Sequence, residues 1–138
     1  MKEFFLRRPW TLLALGGIIL LTLCLVLFKP SRFEPTGDQR FDFWIKWQSQ
    51  EKGEEAIRLY ESAIENSQES FLKAGEAAHL SLLMEDPSTE PYKVHSLELR
   101  YLEALDARDQ YGEAYYEDTV KLKELGYNGP VEVPFPEP

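Results

Sequence analysis

Residues 10–28 read WTLLALGGIILLTLCLVLF, from Trp10 to Phe28. The run carries no charge, and its strongest polar groups are the hydroxyls of Thr11 and Thr22. As a helix rising 1.5 Å per residue it spans about 28 Å, close to the hydrocarbon thickness of a bilayer. A single transmembrane helix over 10–28 is therefore expected, with Trp10 and Phe28 at the two headgroup levels. The lipid bilayer is the first partner that this reading names.

The run lies near the amino terminus, so a secretory signal peptide is the competing reading. Lys2, Arg7 and Arg8, in a basic flank over 1–9, suit either. The apolar stretch is longer than a signal core and ends in Leu27-Phe28-Lys29-Pro30, without a small-residue cleavage site. An uncleaved signal-anchor is expected. Cys24 follows Leu21-Thr22-Leu23, where a lipoprotein signal would place a small residue; as the only cysteine it has no internal disulfide partner. Basic residues favour the cytoplasmic side. The expected localisation is a single-pass membrane protein with a cytoplasmic amino terminus and its larger part outside, periplasmic if the cell is bacterial.

Charge divides along the chain. Residues 1–32 hold five basic groups and one acidic; residues 33–138 hold ten basic and 23 acidic. Phosphate backbones need a basic surface, so nucleic acid is not an expected partner of the acidic part. The balance suits solubility and also permits a basic protein partner.

Residues 29–37 contain Pro30, Pro35 and Gly37 and read as a short stiff stalk. A helical domain is expected over 38–126 and an extended, proline-rich tail over 127–138. Thr36 and Gln39 suggest a capping box opening a helix at about 38–50. Phe41, Trp44, Ile45 and Gln48 share one of its faces, while Phe43 and Trp47 share another. With two apolar faces, the helix is either sandwiched in the domain or turned outward to the membrane or a partner.

Four further segments carry helical periodicity. Over 53–66 the stripe is Ala56, Ile57, Tyr60, Ala63 and Ile64. Over 68–85 it is Phe71, Ala74, Gly75, Ala78 and Leu82, a narrow face that lets a neighbouring helix approach. Asp86-Pro87-Ser88-Thr89 breaks the chain, with Ser88 or Thr89 as cap and Pro91 in the next first turn. Val94, Leu97, Tyr101, Ala104 and Leu105 repeat the stripe over 91–108, as do Tyr111, Ala114, Tyr115, Leu122 and Leu125 over 110–125. Gly126 ends this last helix, with Tyr127 folding back on Leu122. The expected fold is all-α: one anchor helix followed by about five helices.

Tyr60-Glu61-Ser62-Ala63-Ile64 echoes Tyr101-Leu102-Glu103-Ala104-Leu105, and Ala74–Ala78 echoes Tyr111–Tyr115. GEEAIRLYESAI, residues 53–64, resembles the second helix of a tetratricopeptide repeat, with Ala56, Tyr60 and Ala63 where that motif places Ala, an aromatic and Ala. Phe43 and Trp47 stand at large-residue positions of its first helix. The chain departs from the motif at Gln68, which replaces the repeat-ending proline, and at Trp44, which stands at a small position. The resemblance implies antiparallel helical hairpins, with an irregular bundle as the alternative.

No sequence arrangement points to catalysis. His79 and His95 have no metal-ligand neighbour at helical spacing, and no nucleophile motif or phosphate-cradling glycine loop is present. No cofactor, metal site or small-molecule substrate is expected, and Glu113, Glu117 and Asp118 read as a solvated face. Recognition is better supported. Phe43, Trp47, Tyr115, Tyr116 and Phe135 are the candidate partner-binding residues, one of Tyr115 and Tyr116 necessarily facing out. The tail can dock on another protein, strap onto its own domain or fray. The expected role is a membrane-anchored protein–protein interaction module in a membrane or envelope complex. A permanent structural subunit is the alternative, and an enzyme with an unrecognised site is a third.

Overall fold

The computed structural model describes residues 9–134, which form four helices and no strand. They are α1 (Pro9–Leu27), α2 (Gln39–Ile45), α3 (Gln50–Glu85) and α4 (Pro91–Glu124). The chain divides into two compact units after Glu34.

The first unit contains α1, whose 19 residues include a stretch, Trp10–Leu27, long and apolar enough to cross a membrane. Its described side chains are exposed throughout, the surface that lipid covers in a spanning helix. Thr22 donates its hydroxyl to the Ile18 carbonyl at 2.7 Å, so this polar group is satisfied within the helix.

The second unit is a long antiparallel hairpin, α3 against α4, with α2 packed at its open end. The four segments expected over 53–125 are two continuous helices of 36 and 34 residues. Ser67 and Asp109 break nothing, because neither blocks the backbone ladder as proline would. Three helices thus follow the anchor, where about five were expected. One long hairpin stands in place of two short ones in tandem.

The seam is partly polar. Ser62 and Asn66 donate to the buried carboxylate of Asp118 at 2.7 and 3.0 Å. Ser70 donates to the Arg108 carbonyl at 3.0 Å. Toward the turn the seam becomes apolar, with Ala77 and Leu80 against Ala104, flanked by Leu97, Tyr101 and Leu105. Ser62, Asn66, Ser70, Ala77 and Leu80 lie on one face of α3 by helical spacing. That face differs from the one expected to pack: of Phe71, Ala74, Gly75, Ala78 and Leu82, only Ala74 is even half-buried. Asp118 is likewise a buried pin between helices, whereas the sequence reading placed it on a solvated face.

Local chemistry sets the helix ends. α2 is capped by Asp38, which accepts from Arg40 N and Phe41 N; Thr36, the expected cap, instead donates its amide and hydroxyl to Asp42 Oδ1 at 2.8 Å each. Gly37 (φ 94°) makes the positive-φ bend between them. α2 ends at Ile45, so that Ser49 can cap α3 by accepting from Lys52 N. α4 opens with Pro91, but its cap position is Glu90, whose carboxylate pairs with Lys93 Nζ at 2.9 Å and caps no backbone amide of the helix end. Thr89 and Ser88, the expected caps, donate to Leu83 O and Asp86 Oδ1. At the far end Gly126 (φ 103°) lets Gly126 N reach Lys123 O and Tyr127 N reach Leu122 O, a Schellman closure as expected.

Candidate interaction surfaces

α2 and the return of the chain after α4 close the open end of the hairpin with an aromatic cluster. Phe41 stacks on Tyr60 with centroids 4.1 Å apart and meets Tyr127 edge-on at 5.2 Å. Trp44 lies 5.4 Å from Tyr127. Phe41, Ile45, Ala56, Tyr60, Ala63, Leu122 and Tyr127 are buried. Such ring pairs add about 0.5–1.5 kcal/mol each beyond their burial.

Two phenols serve as polar pins in this cluster. Tyr60 donates to Asp38 Oδ2 and accepts from Glu132 N at 3.2 Å, so one hydroxyl joins the α2 cap, α3 and the tail. Burial pushes the Tyr60 phenol far up, and the bond to Asp38 adds to this by holding its proton. Tyr127 donates to Pro130 O at 2.8 Å, and burial beside the Asp38 charge pushes it up to about 12. Gly129 is required under that ring: a Cβ there would stand 2.5 Å from the Tyr127 hydroxyl.

The tail runs from this cluster along α3. After Glu132 meets Tyr60, Pro134 O accepts from Gln68 Nε2 at 3.3 Å. Residues 131–134 therefore strap onto their own domain. Phe135, a candidate binding residue, lies outside the described residues.

Phe43 and Trp47 are brought together, 6.4 Å apart and edge-on. They are 55% and 41% exposed, which decides between the two readings of α2 in favour of an outward face. Lys46 Nζ sits 4.6 Å from the Phe43 centroid and 5.6 Å from that of Trp47. Tyr115 and Tyr116 are elsewhere, on α4. Tyr115 is half-buried beside the Asn128–Val131 turn, and Tyr116 is the exposed one, beside Gly112 and Ser70. The four described candidates thus fall in two places, Phe43 with Trp47 on α2 and Tyr115 and Tyr116 on α4.

A further surface lies outside that candidate set. Tyr60, Ile64, Ser67, Phe71, Gly75, Ala78 and Leu82 recur at steps of three and four, so they share a stripe along α3. α2 and the tail cover its first part, as far as Gln68. Beyond it Phe71 and Leu82 are 56% and 67% exposed, with Gly75 and Ala78 exposed between them. Among the described residues no atom lies within 4 Å of where a Cβ on Gly75 would stand. Its periodicity was legible in the sequence; its exposure was not.

His79 and His95 are both exposed, and His95 Nδ1 lies 3.7 Å from Glu98 Oε2. Among the described residues no three His, Cys, Asp or Glu side chains group as a metal site. No known family model matches this chain, and comparison with curated proteins and with solved structures finds no similar one.

Proposed function

We propose that this protein is a membrane-anchored, non-catalytic interaction module of a membrane or envelope assembly. Residues 10–28 tether it, with the amino terminus cytoplasmic and residues 35–138 outside. One observation carries the reading: among the described residues the α3 stripe continues past Gln68, the last residue seen to meet the tail, with Gly75 and Ala78 exposed and Leu82 67% exposed. Isolated exposed apolar residues are ordinary, but a periodic stripe that continues a buried one marks a docking face. Gly75 and Ala78 between Phe71 and Leu82 give a shallow groove with large ends, the shape that receives the apolar face of another helix. The occupant is a helix of a second membrane-bound protein, because confinement to the bilayer raises effective concentration only for partners held there. The acidic surface around the stripe favours basic flanks on that helix. The burial of Ala56, Tyr60 and Ala63 is consistent with the tetratricopeptide-like packing role of the 53–64 stretch.

The test is site-specific photo-crosslinking of the full chain in its native membranes. A crosslinker at Ala78 should capture one membrane protein, and Leu82→Glu should abolish the capture. A crosslinker at the exposed Glu61 should not capture it. Equal capture from Glu61, or capture insensitive to Leu82→Glu, refutes the docking face.

A further inference from the structure

The outward face of α2 has a different chemistry from the α3 stripe. Phe43 and Trp47 are exposed and in contact with one another, with the Lys46 ammonium over both rings. We infer that this face is a second, interfacial membrane contact: Phe43 and Trp47 enter the headgroup layer of the bilayer that holds the anchor, and Lys46 meets the lipid phosphates.

Three observations select a lipid surface over a protein. The first is composition. Tryptophan with a neighbouring lysine, whose stem lies along apolar surface while its charge reaches phosphate, is the chemistry of the bilayer interface. The second is reach. Residues 29–38 separate the apolar run from α2, and ten extended residues span at most about 36 Å. If residues 10–28 span, the start of α2 therefore lies no more than about 36 Å from a bilayer surface. The third is charge. Residues 29–50 carry four basic and three acidic side chains, whereas 51–138 carry eight and twenty. An anionic lipid headgroup layer would therefore repel the segment next to the anchor less than it repels the remainder of the domain taken together. Insertion is then driven by the rings, and it should occur on zwitterionic phosphatidylcholine.

This inference rests on the anchored reading, and the three tryptophans separate the two. The full chain is reconstituted in phosphatidylcholine vesicles as two single-tryptophan forms: Trp44→Phe with Trp47→Phe, leaving Trp10, and Trp10→Phe with Trp44→Phe, leaving Trp47. Each is compared in plain vesicles and in vesicles of lipid brominated near the top of the acyl chains. Both forms should lose about half of their emission to the brominated lipid, as expected for rings at headgroup depth. Quenching of Trp10 with none at Trp47 overturns the α2 contact and leaves the anchor standing. No quenching of either overturns both. Phe43→Gln guards against a misfolded Trp44→Phe background: it should reduce Trp47 quenching while leaving helical circular dichroism unchanged. If quenching persists undiminished, the paired-ring contact is wrong.

Discussion

The two ends of the hairpin bury very different amounts on the same helices. At the open end, α2, α3, α4 and the tail meet, and Phe41, Ile45, Tyr60 and Leu122 are almost completely buried. Toward the turn, among the described residues, α3 and α4 meet, and Ala77, Leu80 and Ala104 form a thin core. Two helices alone can cover only one stripe of each other, so the remaining apolar stripe is left facing outward. The domain is thus closed where it joins its stalk and incomplete where it points away along the chain. This contrast locates the larger core in one half and the proposed docking face in the other.

The largest expected effect comes from breaking the closed end. Phe41→Ala removes the ring that Tyr60 and Tyr127 pack on, and should cost about 3–5 kcal/mol of unfolding free energy, read by denaturant titration of the detergent-solubilised chain. Leu82→Ala, a truncation on the exposed stripe, serves as its partner measurement below. Gly129→Ala should follow at about 1–3 kcal/mol, because its methyl group forces the packed Tyr127 ring to move. Asp118→Ala should cost a similar amount, about 1–3 kcal/mol, by stranding the Ser62 hydroxyl and Asn66 amide in the seam. A loss below half a kilocalorie there would show that water replaces the carboxylate.

Alkaline pH sharpens the contrast without mutation. The Tyr60 and Tyr127 phenols are held above their ordinary 10 in the folded state, so the folded protein retains protons that the unfolded chain releases. Their stabilising contribution is complete below about pH 10 and falls as pH rises from 10 toward 12. The thermal midpoint should decline over that window, and Tyr60→Phe should make the decline shallower. A midpoint flat to pH 12 would contradict the burial of these hydroxyls. The smallest effect belongs to the exposed stripe: Leu82→Ala should change stability by no more than about 0.5 kcal/mol. A loss as large as that of Phe41→Ala would erase the distinction between the two ends.

Apolar periodicity made the closed end legible. Ala56, Tyr60 and Ala63 announced their face, and Gly126 and Tyr127 announced the last helix end. The rest depended on polar atoms. The α3 seam runs through Ser62, Asn66 and Ser70, so apolar periodicity pointed to the face with Phe71 and Leu82, which carries the greasier pattern and yet is exposed. The helix continuity at Ser67 and Asp109 was missed for a related reason: local breaks in apolar pattern resemble helix ends when no proline marks a true stop. Asp38 displaced Thr36 as cap because Thr36 is held by Asp42, a six-residue contact that a three-residue capping pattern does not encode. The outward face of α2 was readable as two apolar faces, but only packing could show which was buried.

The central claim, that the bare part of the α3 stripe is a docking face occupied in the membrane, is tested most directly by cysteine accessibility at its middle. In a Cys24→Ala background, Ala78→Cys should react rapidly with a water-soluble maleimide in the detergent-purified chain and much more slowly in native membranes, with Leu82→Glu restoring the rapid rate. Equally rapid labelling in both settings would contradict the claim.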